Sequence, residues 1–132
     1  MRFTLDTDIC AGLLRDDPRV FQKSLQYAGQ IALSTVVVGE LLVVTKKTPR
    51  TASFQTGLVE IIDGFDKLDY DVDCARRYGK VRGWLLDHGL PAPPADVMIA
   101  ATALVHDLIL VTHNTRHFEQ IPDLRIEDWL AG

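Results

Sequence analysis

The chain has 132 residues, of which 47% are hydrophobic and 24% charged, with a formal net charge of −4; that suits a single domain over residues 1–132 with a sizeable core. No stretch approaches the ~18 uninterrupted apolar residues of a membrane span, and the acidic balance excludes a surface that attracts nucleic acid everywhere, though not a local basic patch. The N-terminus has no export-signal pattern, and Cys10 and Cys74 are too few for a disulfide framework, so the cytoplasm is the expected compartment.

"RFTLDTD" predicts a short strand at about residues 3–6, passing into a helix at "ICAGLLRD" with Asp8 at the join. "DPRVFQKSLQYAG" carries a proline just inside its start and a glycine just past its end, as helices do. "QIAL" is a short strand. In "STVVVGELLVVTKKT" five valines favour a strand, yet the segment is longer than typical strands. Ser34 and Thr35 can cap it, and Lys46 and Lys47 suit the far end of a helix dipole, so a helix is expected.

"TASFQTGLVEIIDGF" reads as a further helix, "KLDY" as a brief strand, and "DVDCARRYGKVRGWLLDHG" as a long amphipathic helix closed by Gly89. "LPAPP" is a rigid, exposed connector. "ADVMIAATALVHD" is apolar nearly all round and should be a helix buried on both sides. "LILVT" is a buried strand, "NTRHFEQI" a short helical turn, and "LRIEDW" a terminal strand or cap. Alternating strands and helices predict an α/β fold with a short, mostly parallel sheet between helical layers.

In such sheets ligands bind beyond the carboxyl ends of the strands. Asp6 ends the first strand there, and Thr112, His113 and Asn114 follow "LILV". Asp96 lies in the first turn of the apolar "ADVMIAATAL" helix. Glu40 has no charged residue within five positions on either side and is one of only four glutamates. Taken singly these have structural explanations: Asp96 favours the helix dipole, Asp8 caps a helix beginning at Ile9, Asn114 makes a turn. Glu40 needs a partner, either a structural arginine or a metal. Converging carboxylates about 4 Å apart repel by roughly 4 kcal/mol at an effective dielectric of 20, which a cation relieves. Hard oxygen ligands without a Cys or His cluster suggest magnesium or manganese rather than zinc.

Four motifs in order, "LDTDI", "STVVVGELL", "PADVMIAATAL" and "LVTHNTRHFEQIPDLRIEDW", resemble those of the PIN-domain ribonucleases, specifically the VapC-type toxins of toxin–antitoxin pairs. The last motif is similar to the initiator-tRNA endonuclease branch. The resemblance spans nearly the whole chain. It implies a PIN-like three-layer fold and an endoribonuclease that uses metal-activated water and Mg²⁺, with Mn²⁺ as substitute. Asp6 and Asp96 would hold the metal, Glu40 would hold it or else hold and deprotonate its water, and Asn114, neutral where the family carries a fourth acid, would orient water. Asp8 stands where relatives often carry asparagine and would supply outer charge. A cognate antitoxin and a homodimer are the implied protein partners.

"CARRYGKVRGW" supplies Arg76, Arg77, Lys80 and Arg82, and Arg116 lies near the last motif. Either some of these steer RNA phosphates or they form a solvated face. His113 and His117, four apart, either touch phosphate or are solvated surface. Two other readings remain. "DTDIC" approaches the signature of haloacid-dehalogenase-like phosphatases, with Asp6 as nucleophile but Cys10 where Thr or Val is expected. The other is a catalytically silent interaction module of the same fold.

Overall fold

The buried apolar segments pair as short parallel strands, and the amphipathic ones pack around them. The computed structural model describes residues 1–47 and 51–131. In chain order the elements are β1 (Phe3–Leu5), α1 (Thr7–Leu14), α2 (Pro18–Gln26), β2 (Ile31–Ser34), α3 (Thr35–Lys47), α4 (Ala52–Gly64) and β3 (Asp66–Leu68). There follow α5 (Val72–Asp87), α6 (Pro94–Val105), β4 (Ile109–Val111), α7 (Thr115–Phe118) and β5 (Ile126–Glu127). Among the described residues every strand pairing is parallel, in one sheet of order β3-β2-β1-β4-β5.

The chain therefore starts in the middle of the sheet, walks outward to β3, and returns across β1 to lay down β4 and β5. With the right-handed crossovers of parallel strands, that reversal puts the two sets of connecting helices on opposite faces. In such sheets the usual place for a ligand is beyond the carboxyl ends of the strands at that switch point, here β1 and β4. Strands covered on both faces read as unbroken apolar runs. Phe3, Leu5, Leu33, Leu110 and Val111 are accordingly buried, and Ile9, Val37, Leu41, Ile99 and Phe118 pack on them.

Local chemistry sets the helix boundaries. Asp17 accepts from the Arg19 N–H at 3.0 Å ahead of Pro18 at the first helical position. Asp71 accepts from the Cys74 N–H at 3.0 Å to start α5, which ends at Gly89 with φ +64°, a conformation that glycine adopts without strain. Ser34 caps α3 as expected, its Oγ accepting from the Val37 N–H at 3.2 Å. Thr35 instead accepts from the Tyr70 N–H at 3.1 Å and ties α3 to the loop after β3. The side chains of Lys46 and Lys47, and Thr48 itself, lie outside the described residues.

Two expectations are corrected. The helix after β1 begins at Thr7, not Ile9, and its cap is Asp6; Asp8 sits inside the first turn. Only the last residue of "LPAPP" is not connector, because α6 starts at Pro94, where a missing N–H costs a helix nothing. The expectation of a deeply buried α6 holds: Val97, Ile99, Ala100, Ala101, Thr102 and Ala103 are all buried.

Candidate active site

The register of β1 on β4, with Leu5 opposite Val111, puts the next residue of each strand side by side. Thr112 Oγ1 donates to Asp6 Oδ2 at 2.8 Å. The Thr7 N–H donates to Asp6 Oδ1 at 2.8 Å, and the Asn114 N–H donates to Thr112 Oγ1 at 3.0 Å. Asp6 is only 5% exposed. Burial, the Asp8 charge and, more weakly, the Asp96 charge raise its pKa from 3.8 to about 6, against the opposing hydrogen bonds from Thr112 and Thr7. A carboxylate in this position is ionised at neutral pH at a cost, and a cation would relieve it.

Asp8 adds to that strain. Its Oδ2 accepts from the His113 N–H at 3.0 Å, while its buried Oδ1 has no hydrogen-bond partner. Burial is the largest cause raising its carboxyl above the usual range.

Helix packing brings in the other two acids: α1 packs on α3, and α3 on α6. Glu40, half-buried on α3, accepts from the Thr7 hydroxyl through Oε1 at 2.5 Å. Among the described residues no ion pair involves Glu40, so none of the described arginines serves as its structural partner. Asp96, in the first turn of α6, has its Oδ2 2.7 Å from His117 Nδ1. Asn114 is exposed and precedes α7, with no hydrogen bond from its side chain to that helix. His113 and His117 do not act as a pair; His113 Nδ1 lies 3.0 Å from Asp128 Oδ2.

The donor set suits a hard divalent cation. Glu40 Oε2 and Asp96 Oδ1 are left beside the oxygens engaged by Thr7 and His117, and Asp6 retains lone pairs on both oxygens. Among the described residues, however, no three Asp, Glu, His or Cys side chains stand in an arrangement that holds a metal as they are. The acids hold neighbours instead. Of the two threonines that organise the acids, the sequence places Thr112 at the strand end but gives it no role, and does not single out Thr7. The signal for Thr112 is positional: the residue after β4 must lie beside the residue after β1.

The basic residues divide. Arg76, Arg77 and Lys80 line a hollow of about 250 Å³ with Asp73 and Val105. Val105 is nine residues along α6 from Asp96, or about 13 Å of helix. Arg82 Nη1 donates to the Ala92 carbonyl at 3.3 Å, before α6. Arg116 lines a separate hollow with Pro91, Ala92, Pro93 and His117. A larger hollow of about 730 Å³, lined by Leu13, Phe21, Phe54 and Ile61 among others, lies away from the acids between α1, α2 and α4.

The model of the PIN domain family matches residues 3–124. The tRNA(fMet)-specific endonuclease VapC of Shigella flexneri is 34% identical over 130 residues, covering 98% of each chain. VapBC2 from Rickettsia felis, solved with a DNA fragment from its promoter, aligns over 98% of this chain and 99% of its own at 28% identity and a TM-score of 0.90. DNA-bound VapBC from Salmonella typhimurium aligns over 98% of each chain at 31% identity and a TM-score of 0.84. The chain thus belongs to the PIN-domain family, among its VapC-type ribonucleases.

Proposed function

We propose that the protein is a divalent-metal-dependent endoribonuclease toxin that hydrolyses RNA phosphodiester bonds and is neutralised by a cognate antitoxin. The observation that carries this is Asp6: a buried carboxyl at a strand end with a pKa of about 6, next to the partnerless Asp8 Oδ1 and within reach of the Asp96 charge.

Asp6, Asp96 and Glu40 are the residues that would hold Mg²⁺ or Mn²⁺. When bound, that ion supplies a lowered pKa for water and charge neutralisation at the phosphate. Thr112 and the Thr7 N–H fix the orientation of Asp6. With Oε1 on Thr7, Glu40 keeps Oε2 to accept the proton of the attacking water. Asn114, on the backbone next to Thr112, orients that water through its amide. In-line attack without a 2'-hydroxyl leaves a 5'-phosphate and a 3'-hydroxyl, and no histidine is needed as base.

Transfer RNA is the substrate class, on the strength of the Shigella flexneri relative. The antitoxin follows from the VapBC assemblies that share the fold. A homodimer is part of this reading: along the apolar run of α3 Val37 and Leu41 are buried, whereas Leu42 and Val43 are 50% and 55% exposed, a face of the kind that subunit contacts cover. The cytoplasm is the proposed compartment; among the described residues no helix is long and apolar enough to cross a membrane.

Family membership leaves the phosphatase alternative without support. The silent-module alternative draws on there being no ready-made metal cluster among the described residues. Incubation of the purified protein with total RNA and Mg²⁺, followed by mapping of new 5' ends, decides between them. The nuclease yields 5'-phosphorylated ends that Asp6→Asn does not, and a silent module yields none.

A further inference from the structure

Beside His117, which contacts Asp96, lies a hollow of about 390 Å³ lined by Pro91, Ala92, Pro93, Arg116 and His117. The acids proposed to carry the chemistry make no use of it. Its size falls in the range of about 300–1,000 Å³ typical of small-ligand clefts.

Its floor is apolar and stiff. Proline rings fix φ at residues 91 and 93, and Arg82 ties the Ala92 carbonyl to α5. Its wall is cationic: Arg116 is exposed and pairs with no carboxylate among the described residues, whereas Arg19 pairs with Asp17 and Arg125 with Asp107. Its position is set by His117, which lines the hollow and at the same time reaches Asp96 Oδ2 at 2.7 Å. A ligand here is one side chain away from the acidic centre. The hollow around Arg76 and Lys80 lies about a 13 Å length of helix further off.

A cation over an apolar floor, beside carboxylates that would act on a phosphodiester, matches one nucleotide of single-stranded RNA. The guanidinium suits phosphate and the ring surfaces suit a base. We propose that this hollow is the subsite for the nucleotide next to the scissile bond, with Arg116 on its phosphate and the Pro91–Pro93 floor under its base. The proposal rests on the nuclease reading above.

The test is fluorescence anisotropy with a short labelled single-stranded RNA and Mg²⁺ on the full-length Asp6→Asn protein, which leaves the RNA intact. On that background Arg116→Ala should weaken binding about tenfold, the loss of one charge-assisted hydrogen bond. It should also flatten the slope of log affinity against log salt by about 0.7, the value for one phosphate of a single strand. Arg116→Lys should restore the slope. Ala92→Trp, which fills the hollow, should weaken binding with the slope unchanged, and Arg125→Ala, a charge control on the Asp107 pair, should change neither.

Unchanged affinity and slope in Arg116→Ala and Ala92→Trp, with melting curves like the parent's, would overturn the subsite. So would an equal loss in Arg125→Ala, which would reduce the effect to net charge, or no RNA binding at all. A failed subsite with cleavage still abolished by Asp6→Asn leaves the nuclease reading standing. Cleavage by Asp6→Asn at the parent's rate removes that reading.

Discussion

The Thr112 hydroxyl donates to Asp6 Oδ2 at 2.8 Å although 106 residues of chain separate the two. Parallel pairing of β1 with β4 makes them neighbours, and the bond holds down a carboxyl that burial pushes up. Thr112→Val should raise the Asp6 pKa further above about 6. It should destabilise the protein by about 2 kcal/mol at pH 8, where the bond is charge-assisted, and by less at pH 4. Thr112→Ser should retain the parent's values. Denaturant titrations at the two pH values, with NMR titration of the carboxyl, check this.

Asp6→Asn probes the cost of the buried charge. A carboxyl whose pKa rises from 3.8 to about 6 on folding contributes stability below pH 4 that disappears as pH climbs through 6. The full span is about 3 kcal/mol at 1.36 kcal/mol per unit. Asn cannot ionise; its Oδ1 still accepts from the Thr7 N–H, and its Nδ2 can donate to the Thr112 hydroxyl where Asp6 Oδ2 accepted, so Asp6→Asn should be the more stable protein at pH 8 and lose its lead as pH falls to 4. A parent that equals or exceeds Asp6→Asn in urea at pH 8 would refute the raised value.

Cation binding should act on the same carboxyl in the opposite sense. Mg²⁺ or Mn²⁺ should raise the parent's melting temperature, by the equivalent of about 2.7 kcal/mol at a hundredfold excess over Kd. The effect should be larger at pH 8 than at pH 5, because the ion competes with the proton for Asp6. Chelator should reverse it, and Asp6→Asn should not respond. Scanning fluorimetry across the two pH values measures all four.

Thr7 links the first acid to the second: its N–H serves Asp6 and its hydroxyl serves Glu40. Thr7→Val keeps the first bond and deletes the second. Misplacing a proton acceptor without removing it should cost about tenfold in the cleavage step while RNA affinity stays constant. Single-turnover rates beside anisotropy separate the two.

Cys10 and Cys74 are both buried, and burial pushes each thiol up from 9.0. Only thiolates alkylate readily, so iodoacetamide should leave both unmodified in the native protein and modify both in denaturant. Intact-mass spectra read the difference.

The positions of the acids were legible as a pattern because each lies in an apolar stretch where a charge conflicts with its surroundings: Asp6 after a buried strand, Glu40 among valines, Asp96 at the head of an apolar helix. The boundaries were less so. Asp8 looked like the cap of α1, but the turn closes on Asp6, and both residues have the side chain a cap requires. His113 and His117 looked like a pair at helical spacing, yet they face different carboxylates, Asp128 and Asp96, because α7 spans only four residues.

Sequence alone determined the alternation of strands and helices, since burial on both faces demands unbroken apolar runs, and hence the sheet's carboxyl edge as the place to look. Tertiary structure decided which residues meet there. The pairing of β1 with β4 made Thr112 the partner of Asp6, helix packing brought Thr7 to Glu40 and His117 to Asp96, and the length of α6 parted Arg76 and Lys80 from Arg116. Those contacts depend on strand order and helix placement, which arise from how the whole core closes, and no local stretch of residues encodes them.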